Sequence, residues 1–255
     1  MDIEVMVTDA GLFMKDSVWG HWRRWILLTV ALVIFPVILG YMMRIYRGGP
    51  APPELEGWGR LFLDGLKYLV ITIVYMLPGL LVIALSAIPL IQDSMEQRVP
   101  TVTSGLAFLL GLCIAVLLFL IAAVFLYIAI VRAARRGRTG DAFQVGDVLA
   151  HIRSLGWVDY LITLLVGSVI VWLGSQVAFL PLYAVFQIPG AFLLMILAAT
   201  YPVLFVALLI PVIAVSLFLY IPVMIFGARF QSLVYDGGPA TVTGEIPATS
   251  GSGTS

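Results

Sequence analysis

The sequence predicts an all-α, polytopic transmembrane helix bundle, and three observations carry that expectation. Of the 255 residues, 62% are hydrophobic and only 11% are charged, whereas soluble domains average roughly 45–50% apolar and about 25% charged residues. The apolar residues gather in five long runs, each near or beyond the roughly 20 residues that a bilayer core of about 30 Å demands. Lys and Arg concentrate in alternate connections between those runs, the pattern of a chain threaded through a bilayer.

The elements follow in chain order. Residues 1–24 carry acids and a lysine before any long apolar run and lack the build of a signal peptide. They read as an N-terminal interfacial segment, with Trp19, Trp22 and Trp25 around His21 as aromatic interfacial anchors. A helical membrane domain covers 25–235. Its first run, 25–43, is basic on both flanks, so two readings stay open: a full crossing, or a re-entrant hairpin hinged at Phe35-Pro36. The second run, about 66–91, holds Pro78 and Pro89, and the third, 104–131, is the cleanest in the chain. The fourth runs from Val158 to about Leu180. From Pro181 to Phe230 the chain stays apolar and is punctuated by Pro181, Pro189, Pro202, Pro211 and Pro222. That stretch is too long for one crossing at 1.5 Å per residue. It reads as two membrane segments, or one crossing plus a re-entrant piece, giving five or six membrane segments in all. A tail, 236–255, is rich in Gly, Ser, Thr and Pro and is expected to be disordered.

The 14 Lys and Arg residues place loops 44–67 and 132–157 on the cytoplasmic side of a cell membrane and loop 92–103 outside. Both cytoplasmic loops contain amphipathic stretches, near 54–66 and 141–157. A weak parallel repeat relates them. GYMMRIYRGG (40–49) and LYIAIVRAARRG (126–137) each end a helix in tyrosine and arginine, then lead through an amphipathic stretch with Trp58 or Trp157 into a new span. These two tryptophans complete the set of interfacial anchors.

In 48–69, GGPAPPELEGWGRLFLDGLKYL, Pro52 and Pro53 suit a first helical turn. Trp58, Leu61, Phe62, Gly65, Leu66 and Leu69 form an apolar stripe at helical spacing. Glu56, Arg60, Asp64 and Lys67 form a ladder of alternating charge on the other face. Glu56 and Asp64 stand about 12 Å apart on such a helix, which fits neither a glycosidase pair nor a metal site.

WGRLFLDGLKYLVI, preceded by GYMMRIYRG and an acidic proline-containing linker, resembles the hallmark of the domain-of-unknown-function 4013 family of multi-span membrane proteins. The later basic loop, SLGWVDYL and GARFQSLVY extend the resemblance over roughly 14–235. It implies a membrane fold and no activity, since the family has none assigned.

The remaining candidates are few. Arg132, Arg135, Arg136 and Arg138 sit just below the third span and are candidate lipid-headgroup contacts. His151, one turn after Asp147, suggests a surface ion pair. Cys113 is alone in an apolar run, and Ala107, Gly111 and Ala115, like Gly174 and Ala178, suit close helix packing. From Ser104 to Val131 and from Tyr160 to Ala228 there is no Asp, Glu, Lys, Arg or His, so carboxylate proton relays are disfavoured. No catalytic residue, cofactor or metal site is expected. Membrane lipids are the expected partners, other membrane proteins a second class, and the zero net charge argues against nucleic acid. The favoured function is a non-enzymatic lipid-interacting or membrane-scaffolding component; the alternative is a transporter or channel for a neutral or lipid-like solute.

Overall fold

A computed structural model describes residues 2–187 and 196–237. Among them the chain is an all-α bundle, and four helices are long and apolar enough to cross a membrane. We number the helices α1 (Ile3–Val18), α2 (Trp22–Val33), α3 (Phe35–Tyr46), α4 (Trp58–Met95), α5 (Val102–Arg136), α6 (Val145–Leu155), α7 (Trp157–Ala178), α8 (Leu180–Gln187) and α9 (Pro202–Asp236). A 3-10 turn, Thr139–Phe143, precedes α6. The four candidate spans are α4, α5, α7 and α9.

These four form two antiparallel pairs, each seated on small residues. In the first pair Gly79 of α4 lies under the Phe119 ring of α5, and Gly111 of α5 under Ser86 of α4. The connection is tied by Asp93, which accepts from the Ser104 hydroxyl at 2.6 Å and the Thr101 amide at 3.0 Å. In the second pair Gly167 and Gly174 of α7 face Phe230 and Val223 of α9, and Gly227 of α9 faces Val171. Without a hydrophobic force between helices in lipid, such close approach supplies the dispersion contact that holds them. Both expected small-residue stripes therefore pack inside one chain.

The pairs meet at one end, the end rich in arginine. The Tyr160 hydroxyl donates to the Val124 carbonyl at 2.6 Å, and the Gln231 amide donates to the Tyr127 carbonyl at 2.7 Å. These hydrogen bonds between the pairs, with those of Arg135 to Ser232 and Asp236, fall at or beyond Val124 of α5. The core sits here. Ile128 to Ala134 are buried in succession, so this part of α5 is surrounded on all sides, together with most of α3 and the end of α9. Towards the other end the helices are exposed along most of their length, and only 11% of the apolar window of α4 is buried.

Three expectations change. The run 25–43 is not one crossing helix: it breaks at Ile34 (φ −88°, ψ 74°) into two helices of 12 residues each, beside the expected Phe35-Pro36 hinge. Gly20–Arg24 at the start of α2 and Glu54–Glu56 after α3 line a single cleft of about 640 Å³, so the segment folds back and its flanks lie together. The break and the fold-back are the shape of the hairpin reading. Second, residues 1–24 are part of the bundle: Met6, Ala10 and Phe13 of α1 are buried, and Asp9 pairs with Arg229 of α9 at 2.8 Å. Third, within 181–230 the described residues hold one crossing-length helix, α9, which runs 35 residues through Pro211 and Pro222. Pro189 and the expected tail beyond Gly237 lie outside the described residues.

The repeat is visible as geometry. α4 and α7 each begin on a left-handed glycine followed by tryptophan, Gly57-Trp58 (φ 66°) and Gly156-Trp157 (φ 89°). α3 and α5 are each followed within two residues by another, Gly48 (φ 83°) and Gly137 (φ 70°). Pro52 and Pro53, expected in a first helical turn, instead precede the helix, which starts at Trp58 and runs without a break into the span.

Candidate functional site

The arginine-rich end is built as a set of joints. Arg44 of α3 donates to the carbonyls of Glu54 and Glu56, each at 2.8 Å, and so fixes the linker before α4. Arg47 donates to Asp64 of α4 at 2.6 Å, and Lys67 reaches the other carboxylate oxygen at 3.1 Å. Asp64 is therefore a buried acceptor held between two cations, not a rung of an exposed ladder, and Glu56 lies off the helix. Charges removed from water are stable only when paired and hydrogen-bonded, which is what places Asp64 against α3.

The four candidate headgroup arginines do not stand together. Arg132 is buried, 5% exposed, and joins α5 to α6 through Asp147 and, at 3.2 Å, Gln144. Arg135 joins α5 to α9 through the Ser232 hydroxyl at 3.0 Å and Asp236 at 2.5 Å. Arg136 lies 4.0 Å from the buried Asp141. Arg138 is exposed. As a group they are fasteners, with only Arg136 and Arg138 presenting guanidinium to the surroundings. Arg229 does the same for α1, pairing with Asp9, donating to the Gly49 carbonyl at 3.0 Å and lying over the Phe13 ring. The expected Asp147–His151 pair does not form: Asp147 is taken by Arg132, and His151 stacks on Tyr235 with its Nε2 2.9 Å from that residue's carbonyl oxygen.

The tryptophans also divide. Trp19 and Trp22 are 71% and 63% exposed, and Trp157 is 38% exposed. Trp58 packs half-buried on the core. Trp25 departs from the expected interfacial anchoring: it is buried, stacks on Phe218 and donates its indole N–H to the Phe218 carbonyl at 2.7 Å. That carbonyl is the one that Pro222, having no N–H, leaves without its i+4 partner. The indole replaces the missing amide, and α9 continues through the proline.

Above the arginine joints the two helix pairs and α3 enclose a cavity of about 210 Å³, lined by Tyr46, Tyr68, Tyr127, Tyr220, Ser168 and Gln231 among apolar residues. The Tyr46 hydroxyl donates to Gln231 Oε1 at 2.7 Å, and Gln231 passes the chain on to the Tyr127 carbonyl. Among the described residues, no charged side chain lines it. The sequence does not mark these residues as a group, because helices from opposite ends of the chain supply them.

No curated protein and no solved structure is detectably similar to the chain. Residues 25–183, more than half its length, match the family described as "Protein of unknown function (DUF4013)". The match takes in α2 to α7 and both halves of the repeat, and leaves α1 and the GARFQSLVY end of α9 outside. On that match, the chain belongs to the DUF4013 family.

Proposed function

We propose that the protein is a non-enzymatic membrane component that engages lipid through the α2–α3 hairpin acting as a wedge. The observation that carries this reading is the hairpin's construction. Its two arms of 12 residues span about 18 Å each, short of a roughly 30 Å hydrocarbon core. Its tip is exposed and apolar at Val33, Ile34 and Phe35, while Arg23 and Arg24 with the exposed Trp22 mark its base. Apolar tip, aromatic belt and cationic base are the order in which a bilayer presents hydrocarbon, interface and anionic headgroups. The cytoplasmic side, by the placement of Lys and Arg, is where the wedge enters.

Cysteines introduced at Asp16 and Ala51, in a Cys113→Ala background, test it in sealed vesicles with an impermeant maleimide. Both are expected to react from the same side. A spin label at Phe35→Cys should then collide with oxygen more than with a water-soluble nickel chelate, and the labels at 16 and 51 the reverse. Reaction of 16 and 51 from opposite faces, or a water-exposed label at 35, refutes the wedge. A second reading, a path for a neutral solute, is favoured by the uncharged, hydroxyl-lined cavity between the helix pairs.

A further inference from the structure

We infer that the cavity between the helix pairs is a binding site for a neutral, membrane-dissolved amphiphile with a small hydrogen-bonding head, for which a phenol is a suitable probe. The inference does not rest on the wedge: the cavity is lined by α3, α4, α5, α7 and α9 and by no residue of α2.

Four observations define the ligand. The first is charge. Among the described residues no Asp, Glu, Lys, Arg or His lines the cavity, so an ionic head would lose its hydration with no counter-charge from them to replace it. The second is unused hydrogen-bonding capacity. Tyr46 and Gln231 satisfy each other and the Tyr127 carbonyl. Among the described residues no hydrogen bond reaches the hydroxyls of Tyr127, Tyr220 or Ser168, though all three residues line the space. A phenol hydroxyl in an apolar setting usually finds a partner, and it can serve a ligand as donor or acceptor. The third is size. A cavity of about 210 Å³ is smaller than the roughly 300–1,000 Å³ of sites that enclose a whole drug-sized molecule. It suits a head, with the tail left outside. The fourth is the opening. Ser168 of α7 lines the cavity and is also exposed on the outside of the bundle, and the hydrogen bonds that join the two helix pairs lie nearer the arginine-rich end. An alkyl tail can leave between them into lipid.

The same residues would also serve as simple ties between helices, but that role is filled by Tyr46, Gln231 and Tyr160, whose groups are bonded. Among the described residues, the Tyr127 and Tyr220 hydroxyls tie nothing.

The full chain in lipid nanodiscs tests the site with three probes of one shape: 4-octylphenol, octylbenzene and 4-octylbenzoate. Retention on loaded discs is measured against empty discs of the same lipid, alongside the thermal midpoint. The phenol is expected to bind saturably and to raise the midpoint, as any ligand of the folded state does. Octylbenzene, lacking the hydroxyl, and octylbenzoate, carrying a charge, should partition as into empty discs. Tyr127→Phe and Tyr220→Phe remove only unbonded hydroxyls and should fold normally; each is expected to weaken phenol binding roughly five-fold, one hydrogen bond's worth. Ser168→Leu, at the exposed rim, should weaken it by blocking entry. The inference is overturned if octylbenzene binds as well as the phenol, if the phenol fails to saturate, or if both Tyr→Phe variants keep full affinity.

Discussion

The indole of Trp25 gives the sharpest test of how α9 survives its prolines. Trp25→Phe keeps an aromatic ring over Phe218, whose centroid lies 4.1 Å from that of Trp25, and deletes only the N–H that meets the Phe218 carbonyl at 2.7 Å. Pro222 supplies no amide to that carbonyl, so the substitution strands an acceptor beside a buried side chain. Stranding a buried acceptor costs about 1–3 kcal/mol in water-soluble proteins, and single side-chain hydrogen bonds in membranes average about 0.6 and reach about 1.7 kcal/mol. A loss of about 1–1.7 kcal/mol, where those two ranges overlap, is therefore expected. Because the cause is the missing proline amide, Pro222→Ala should absorb most of it: with an N–H restored at that position the carbonyl regains its helical partner. The double-mutant cycle should show a coupling of about 0.5–1 kcal/mol, read from SDS unfolding of the reconstituted protein followed by circular dichroism. Equal losses for Trp25→Phe with and without the Pro222→Ala change would refute the reasoning, since the indole would then be acting through its bulk alone.

Other expectations follow from particular contacts. A Cβ at Gly40 or Gly65 would strike the backbone of Leu61 or Pro36, where α3 crosses α4, so either Gly→Ala change should cost more than the ~1–3 kcal/mol of ordinary overpacking; Gly59→Ala, with open space around it, should be neutral or slightly stabilising in the same SDS unfolding assay. Arg132→Ala removes hydrogen bonds to Asp147 and Gln144 and is expected to destabilise by about 1.5–3 kcal/mol, while Arg138→Ala at an exposed position should stay within about 0.5 kcal/mol. In reconstituted vesicles the paired variant Arg136→Ala/Arg138→Ala, and not Arg132→Ala, should lower retention of anionic lipid on purification by mass spectrometry. Gly57→Ala enters the ordinary left-handed region (φ 66°, ψ 59°) and should cost about 1 kcal/mol, but Gly156→Ala (φ 89°, ψ 120°) falls outside any region open to an L side chain and should cost up to about 3 kcal/mol by the same unfolding assay.

What could be read ahead of the structure was local. The third run is uniformly apolar and bounded by Thr101 and Gly137, and it is α5 to within a few residues. The small residues Gly111, Ala115 and Gly174 marked the faces that pack, because in lipid only close backbone approach repays contact. The repeat was legible through its Tyr-Arg helix ends and its two tryptophans, and the structure adds that Trp58 and Trp157 each follow a left-handed glycine at the start of α4 and α7. What misled was context. Arg132 and Arg135 have the composition of a headgroup site, yet Asp147 and Asp236 occupy them, from 15 and 101 residues away. Asp64 has the spacing of a surface ladder, yet Arg47 draws it inward.

By itself the sequence determined the solvent, the long apolar helices and the segregation of cationic residues to one end, because each depends on the hydrocarbon content of a contiguous stretch. Only the tertiary structure decided that 25–43 folds back, that α9 passes through Pro222, that the arginines bind their own chain, and that four tyrosines share one cavity. Those outcomes turn on which polar group is near enough to satisfy another where water is scarce. Distance between chain-remote groups is set by packing and is not written at any one position.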